Sequence, residues 1–142
     1  MNELSGKVAL VTGGGRGIGR SIALSLAAAG ADIVINFLSH AMEAQAVEAE
    51  IRESGRRSLC VQADVSMARE VERLAHEVQG AMGTVDILVN NAGIARQQSL
   101  EQVTESDWDE LMAVNLKSCF LVTQAFLPGM QVLVLLVVRG RR

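Results

Sequence analysis

Val8-Ala9-Leu10-Val11-Thr12-Gly13-Gly14-Gly15-Arg16-Gly17-Ile18-Gly19 joins an apolar, partly β-branched run to a glycine cluster, and a helical pattern begins inside the cluster. A strand that turns into a helix through glycines brings backbone N–H groups and a helix N-terminus to one point, which seats a phosphate. The spacing is Gly13-x-x-x-Gly17-x-Gly19, and G-x-G-x-x-G does not occur in register. Gly13 can take the tight turn out of the strand. Gly17 lets the backbone approach a pyrophosphate, and Gly19 lets the helix pack on the strand.

Outward from this point, apolar runs alternate with amphipathic stretches. Val8–Val11 reads as a strand, and residues 17–29 as a helix with Ile18, Ile22 and Leu26 on one face and Gly30 as its stop. Residues 33–37 form a second strand, Ala41–Glu53 a polar helix stopped by Gly55, and Ser58–Gln62 a third strand. Ser66 is the expected N-cap of a helix over residues 67–82 whose face carries Val71, Leu74, Ala75 and Val78. Residues 87–89 form a fourth strand. Thr104-Glu105-Ser106-Asp107 resembles a capping box, with Asp in place of Glu or Gln, and opens a helix to about residue 127 that Pro128-Gly129 ends. Residues 132–138 read as a fifth strand. Continuous apolar strands joined by helices predict an α/β fold, a doubly wound, Rossmann-like parallel sheet whose ligand crevice lies beyond the carboxyl ends of the strands.

Composition narrows the function. With 142 residues, 49% hydrophobic, the chain can bury one core, and a net charge of −3 offers no basic face for nucleic acid. Cys60 and Cys119 each sit in an apolar run, which predicts buried free thiols. They share no metal-ligand spacing with His40 or His76, so no metal is expected. The polar start Met1-Asn2-Glu3-Leu4-Ser5-Gly6-Lys7 is unlike a signal peptide, and the apolar run at residues 132–138 is too short to cross a bilayer, so a cytoplasmic protein without a membrane partner is expected. Trp108 is expected to pack, the acidic run from Glu43 to Glu53 to be a solvated face, and Arg139-Gly140-Arg141-Arg142 to carry no special role.

Four motifs in order carry a resemblance: Thr12 to Gly19 after the first strand, Asp64-Val65 after the third, Asn90-Asn91-Ala92-Gly93 after the fourth, and Asn115 in the long helix. In these the chain resembles the short-chain dehydrogenase/reductase family, classical type, over residues 7–130, and within it most resembles the 3-oxoacyl-(acyl carrier protein) reductase branch. The resemblance implies a nicotinamide dinucleotide seat built from Thr12, Gly13, Gly15, Arg16, Gly17, Ile18 and Gly19, together with Asp64, Val65, Asn91, Ala92 and Gly93. Asp64 would accept from the adenine amino group beside the Val65 backbone. Asn91, Ala92 and Gly93 would contact ribose, and Asn90 would tie neighbouring strands. Asn115 would be the catalytic asparagine that opens its helix for a water in a proton relay. The resemblance also implies a small carbonyl substrate and a homo-oligomer in full-length relatives.

The charge at the end of the second strand speaks to the choice of cofactor. Members that prefer NAD place an Asp there, whereas this chain has Asn36-Phe37-Leu38-Ser39, with Arg16 in the glycine loop to reach a 2′-phosphate. NADP is therefore expected over NAD, although the second basic residue often found after that strand is replaced by Leu38 and Ser39, with His40 close by. Family catalysis also uses a Ser, a Tyr that protonates the carbonyl oxygen and a Lys four residues after it, but this sequence contains no tyrosine. Hence the expectation is one NAD(P)-binding domain over residues 1–142, incomplete at its carboxyl end, atypical over 131–142, association-prone and inactive alone. The alternative is a non-catalytic nucleotide-binding or subunit-interaction module.

Overall fold

Strands β1 (Val8–Val11), β2 (Asp32–Phe37), β3 (Ser58–Gln62), β4 (Ile87–Asn90) and β5 (Val134–Val137) form one sheet in the order β3-β2-β1-β4-β5. Every pairing is parallel. The structure, a computed structural model, describes residues 3–130 and 134–137. The first four crossovers carry α1 (Gly17–Ala28), α2 (Ala41–Glu53), α3 (Ala68–Met82) and then α4 (Glu105–Met112) and α5 (Ser118–Phe126), which are joined by a π-helical turn, Ala113–Lys117. The Rossmann-like, doubly wound sheet expected from the alternation is thus the fold. Residues 132, 133 and 138 of the expected last strand, and the terminal Arg139-Gly140-Arg141-Arg142, lie outside the described residues.

The pleat distributes each strand between two cores. Val8 and Leu10 of β1 join Val34, Val61 and Leu88 under Leu74 and Val78 of α3 and Val122 and Phe126 of α5. Ala9 and Val11 join Ile33, Ile35 and Val89 under Ala23 and Ala27 of α1 and Val47 and Ile51 of α2. Burial on both faces is why these strands read as unbroken apolar runs. Strand order reverses between β1 and β4, so the loops after those two strands diverge and leave a crevice.

The helices depart from expectation in four ways. In α1 the buried face is Gly19, Ala23 and Ala27, while Ile18 is exposed and Ile22 and Leu26 are only partly covered. The small residues win because α1 lies close on the sheet: a Cβ at Gly19 would collide with the Gly13 carbonyl oxygen and the Asn91 amide. At α3 the N-cap is Met67, and the Ser66 hydroxyl donates to Asp64 Oδ1 at 2.6 Å rather than capping. The single long helix is interrupted by the π turn. Its apolar residues also divide, Val122 and Phe126 entering the core while Leu116, Phe120 and Trp108 stay exposed. Trp108 therefore does not pack as expected. The Thr104–Asp107 capping box forms as read from the sequence. Both cysteines are free, but each is only partly buried.

Candidate functional site

A cavity of about 630 Å³ opens at the carboxyl ends of β1 to β4. The glycine loop supplies Gly13, Gly15, Arg16, Gly17, Ile18 and Gly19, and the ends of β3 and β4 supply Asp64, Val65, Asn91, Ala92 and Gly93. The fold thus gathers on one surface eleven of the thirteen residues singled out from the sequence, Thr12 and Asn115 being the other two.

The glycines shape the floor. Gly13 and Gly17 hold φ of 63° and 55°, the left-handed region that favours glycine. A Cβ on Gly15 would come within 2.9 Å of Ala44 Cβ, so α2 approaches the loop closely. Arg16 is the N-cap of α1 and makes no side-chain cap, and the first turn of α1 has no acidic residue. The dipole of a twelve-residue helix and its first N–H groups therefore point at the cavity without a protein anion to meet them.

Thr12 is buried behind this floor and acts on position. Its Oγ1 accepts from the N–H groups of Asn91 and Ala92, both at 3.0 Å, and donates to the Val89 carbonyl. Asn91 returns the link, its Nδ2 donating to the carbonyls of Thr12 at 2.9 Å and Gly13 at 3.1 Å. The ends of β1 and β4 are bolted together by these bonds. This corrects the expectation for Asn90, whose Nδ2 donates to Thr123 Oγ1 at 3.2 Å and fastens β4 to α5. The strand-tying amide is the next one along, because the strand ends at Asn90 and Asn91 faces the divergent loop.

Asp64 closes a tight turn. Its Oδ1 accepts from the Ser66 N–H at 2.9 Å and from the Ser66 hydroxyl, which fixes the carboxylate at the cavity wall. Asn115 sits in the π turn, outside the cavity lining. Its Oδ1 accepts from the Ile94 N–H at 2.7 Å and its Nδ2 donates to the Ile94 carbonyl at 2.8 Å, so it holds the loop that carries Gly93 and Ile94 into the cavity. A π turn loosens the regular helical ladder at this point.

Sequence reasoning missed Asn36 and Glu110. Asn36 is buried, and its Nδ2 donates to the Ala63 carbonyl at 3.0 Å, pinning β2 to the end of β3. The signal was present: a lone amide in the apolar run that follows Asp32. Glu110 lines the cavity from α4 and pairs with Arg96, which also meets Asp107. The Asp107 carboxyl lies below the usual carboxylate range, first because it accepts from the Thr104 backbone N–H and then from the Thr104 hydroxyl.

Fold and cavity together define a Rossmann-like domain with a glycine-floored, anion-ready crevice at its switch point. A family model described as short chain dehydrogenase matches residues 7–133. The chain is 44% identical over 124 residues to the 3-oxoacyl-(acyl carrier protein) reductase of Staphylococcus epidermidis, a match covering 87% of this chain and 51% of that protein. It is 45% identical over 122 residues to a hydroxynaphthalene reductase-like protein of Metarhizium anisopliae, covering 86% of this chain and 46% of that one. A short chain dehydrogenase of Burkholderia cenocepacia, solved in complex with NADP, superposes with a TM-score of 0.88 at 46% identity, over 91% of this chain and 53% of that one. A metagenomic short-chain oxidoreductase, also in complex with NADP, gives 0.83 at 39% identity, over 89% and 57%. The chain belongs to the short-chain dehydrogenase/reductase family. It spans about half the length of the curated relatives it matches.

Proposed function

We propose that this chain forms the NADP-binding half of a short-chain oxidoreductase that reduces a small carbonyl, such as a 3-oxoacyl thioester. The observation that carries the reading is the Arg16 guanidinium at the end of β2, where Phe37, Leu38 and Ser39 line the cavity and leave no carboxylate to meet a 2′-hydroxyl. NADP-bound relatives of this fold support it. When bound, the nicotinamide supplies the hydride. The Gly13 to Gly19 floor and the α1 N-terminus take the pyrophosphate, with Thr12 and Asn91 holding that floor in place. Ile18 and Val65 give apolar wall, Asp64 accepts from the adenine amino group, and Asn91, Ala92 and Gly93 bring backbone to the ribose. Asn115 positions the loop at Ile94 and steadies a proton path.

The 142 residues contain no tyrosine, so taken alone they bind the dinucleotide without turning a carbonyl over. On this reading the chain is cytoplasmic, without a membrane or nucleic-acid partner, and a homo-oligomer is expected of its full-length relatives. The segment Glu105–Gly129 is long and apolar enough to span a membrane by length and composition, but Val122 and Phe126 are built into the sheet core.

The test is calorimetric titration with NADP and NAD before and after Arg16→Ala. A charged hydrogen bond to phosphate contributes about 1.5–3 kcal/mol, so NADP affinity should fall about 10- to 100-fold while NAD affinity holds. An equal, small loss for both would sink the 2′-phosphate role.

A further inference from the structure

His40 stands between β2 and α2 as the N-cap of α2, with φ of 63°, and its side chain lines the cavity beside Arg16, Leu38 and Ser39. Arg16 Nη1 lies 3.3 Å from His40 Nε2, and Ser39 Oγ lies 2.8 Å from His40 Nδ1. A guanidinium can only donate, so Nε2 must accept, and the ring proton sits on Nδ1, donated to the Ser39 hydroxyl. The ring in this arrangement is the neutral tautomer. A second proton on Nε2 would point an N–H at a guanidinium with no acceptor between them. An anion placed between the two would accept from both. The acidic groups lining this cavity are Asp64, with Oδ1 engaged by Ser66, and Glu110, paired with Arg96, while Glu43 stands in the first turn of α2.

Resting on the reading of a 2′-phosphate seat above, we propose that His40 is its proton-linked second ligand. The neutral ring is the form that can accept from Arg16, and binding of NADP brings one proton from solvent onto Nε2, which then donates to the phosphate alongside Arg16. Selectivity for NADP over NAD therefore rises as pH falls through the neutral range, where a histidine changes charge. The basic residue missing at positions 38 and 39 is supplied one step later, by a group whose charge is conditional.

The experiment is calorimetry of the chain with NADP and NAD at about pH 6.5 and about pH 8.5, comparing wild type with His40→Asn and His40→Arg. Asn accepts left-handed backbone and caps helices, so the fold is kept and the cation lost. Arg carries a fixed charge. A phosphate monoester loses its second proton near pH 6, in wild type and variants alike, so the ratio between proteins isolates the ring. The ratio of wild-type to Asn-variant affinity for NADP should be on the order of tenfold larger at the lower pH. NAD should show no such change, and the Arg variant should be tight at both values. Enthalpies in two buffers of different ionisation heat should show about one more proton taken up by wild type than by the Asn variant. NADP binding with the same pH profile in wild type and Asn variant would overturn the role of His40 and leave the function standing. Failure of every variant to bind either dinucleotide would overturn the function itself, and this inference with it.

Discussion

The side chain of Asn115 grips one peptide unit from both sides, accepting from the Ile94 N–H at 2.7 Å and donating to the Ile94 carbonyl at 2.8 Å. The clamp couples the π turn to the middle of the loop after β4, between the Asn91 and Ala92 bonds to Thr12 and the Arg96 pairs with Asp107 and Glu110. Each such bond contributes about 1 kcal/mol net. Asn115→Ala should therefore cost about 1–2 kcal/mol in chemical denaturation, with the loss focused on that loop. Amide exchange at Ile94 should accelerate more than exchange in β1 or β2. Unchanged protection at Ile94 would refute the clamp.

Gly17 and Gly19 are two residues apart and should fail differently. A Cβ on Gly17 meets nothing within 4 Å, so Gly17→Ala carries mainly the cost of its positive φ, about 1–2 kcal/mol, and sets a methyl at the cavity floor. A Cβ on Gly19 collides with backbone of the same loop, so Gly19→Ala must push α1 off the sheet. The expected outcome is a folded Gly17→Ala protein with weakened NADP binding and a much less stable Gly19→Ala protein. Thermal melts with and without NADP read both effects, and equal melting losses would contradict the assignment.

These contrasts show where the sequence was legible. The succession of elements, the parallel sheet and the place of the cavity followed from alternation and four motifs, because buried parallel strands and glycine turns leave strong local marks. The buried face of α1 did not follow, since Ile18, Ile22 and Leu26 give a clean helical stripe and only the closeness of the sheet favours Gly19, Ala23 and Ala27. Ser66 had the chemistry of a cap, but Asp64, two residues earlier, competed for its hydroxyl. Asn90 and Asn91 could not be told apart from sequence, because their roles depend on where the strand stops. The Arg16–His40 approach joins two loops whose distance only the fold sets.

Cys60 gives an alkaline signature. Burial, followed by the nearby Glu48 carboxylate, pushes its thiol up to about 12 from an ordinary 9.0, and its Sγ donates to the Ala44 carbonyl at 3.2 Å. A folded value raised above the unfolded one means that the contribution to stability is full below about pH 9 and is lost as pH rises toward 12. Cys60→Ala should flatten that part of the stability curve. In the folded wild type, iodoacetamide at pH 8 should label Cys60 far more slowly than in the denatured chain. Equal labelling rates would remove the prediction.

Leu116 and Phe120, four residues apart at the junction of the π turn and α5, are 60% and 61% exposed, and Trp108 on α4 is 59% exposed. Their neighbours Val122 and Phe126 already satisfy the sheet, so these three side chains have no core of their own to enter. Apolar surface costs on the order of 25 cal/mol per Å² when left wet, and a patch of a few hundred Å² commonly marks a contact surface. The 142-residue chain should therefore self-associate, with sedimentation showing concentration-dependent species. Leu116→Glu with Phe120→Glu should shift it toward monomer without lowering its melting temperature by more than a few degrees, because both positions are already wet. A wild-type chain that sediments as a monodisperse monomer at every concentration would contradict the prediction. A double variant that unfolds would show instead that these side chains support the fold from outside the two cores.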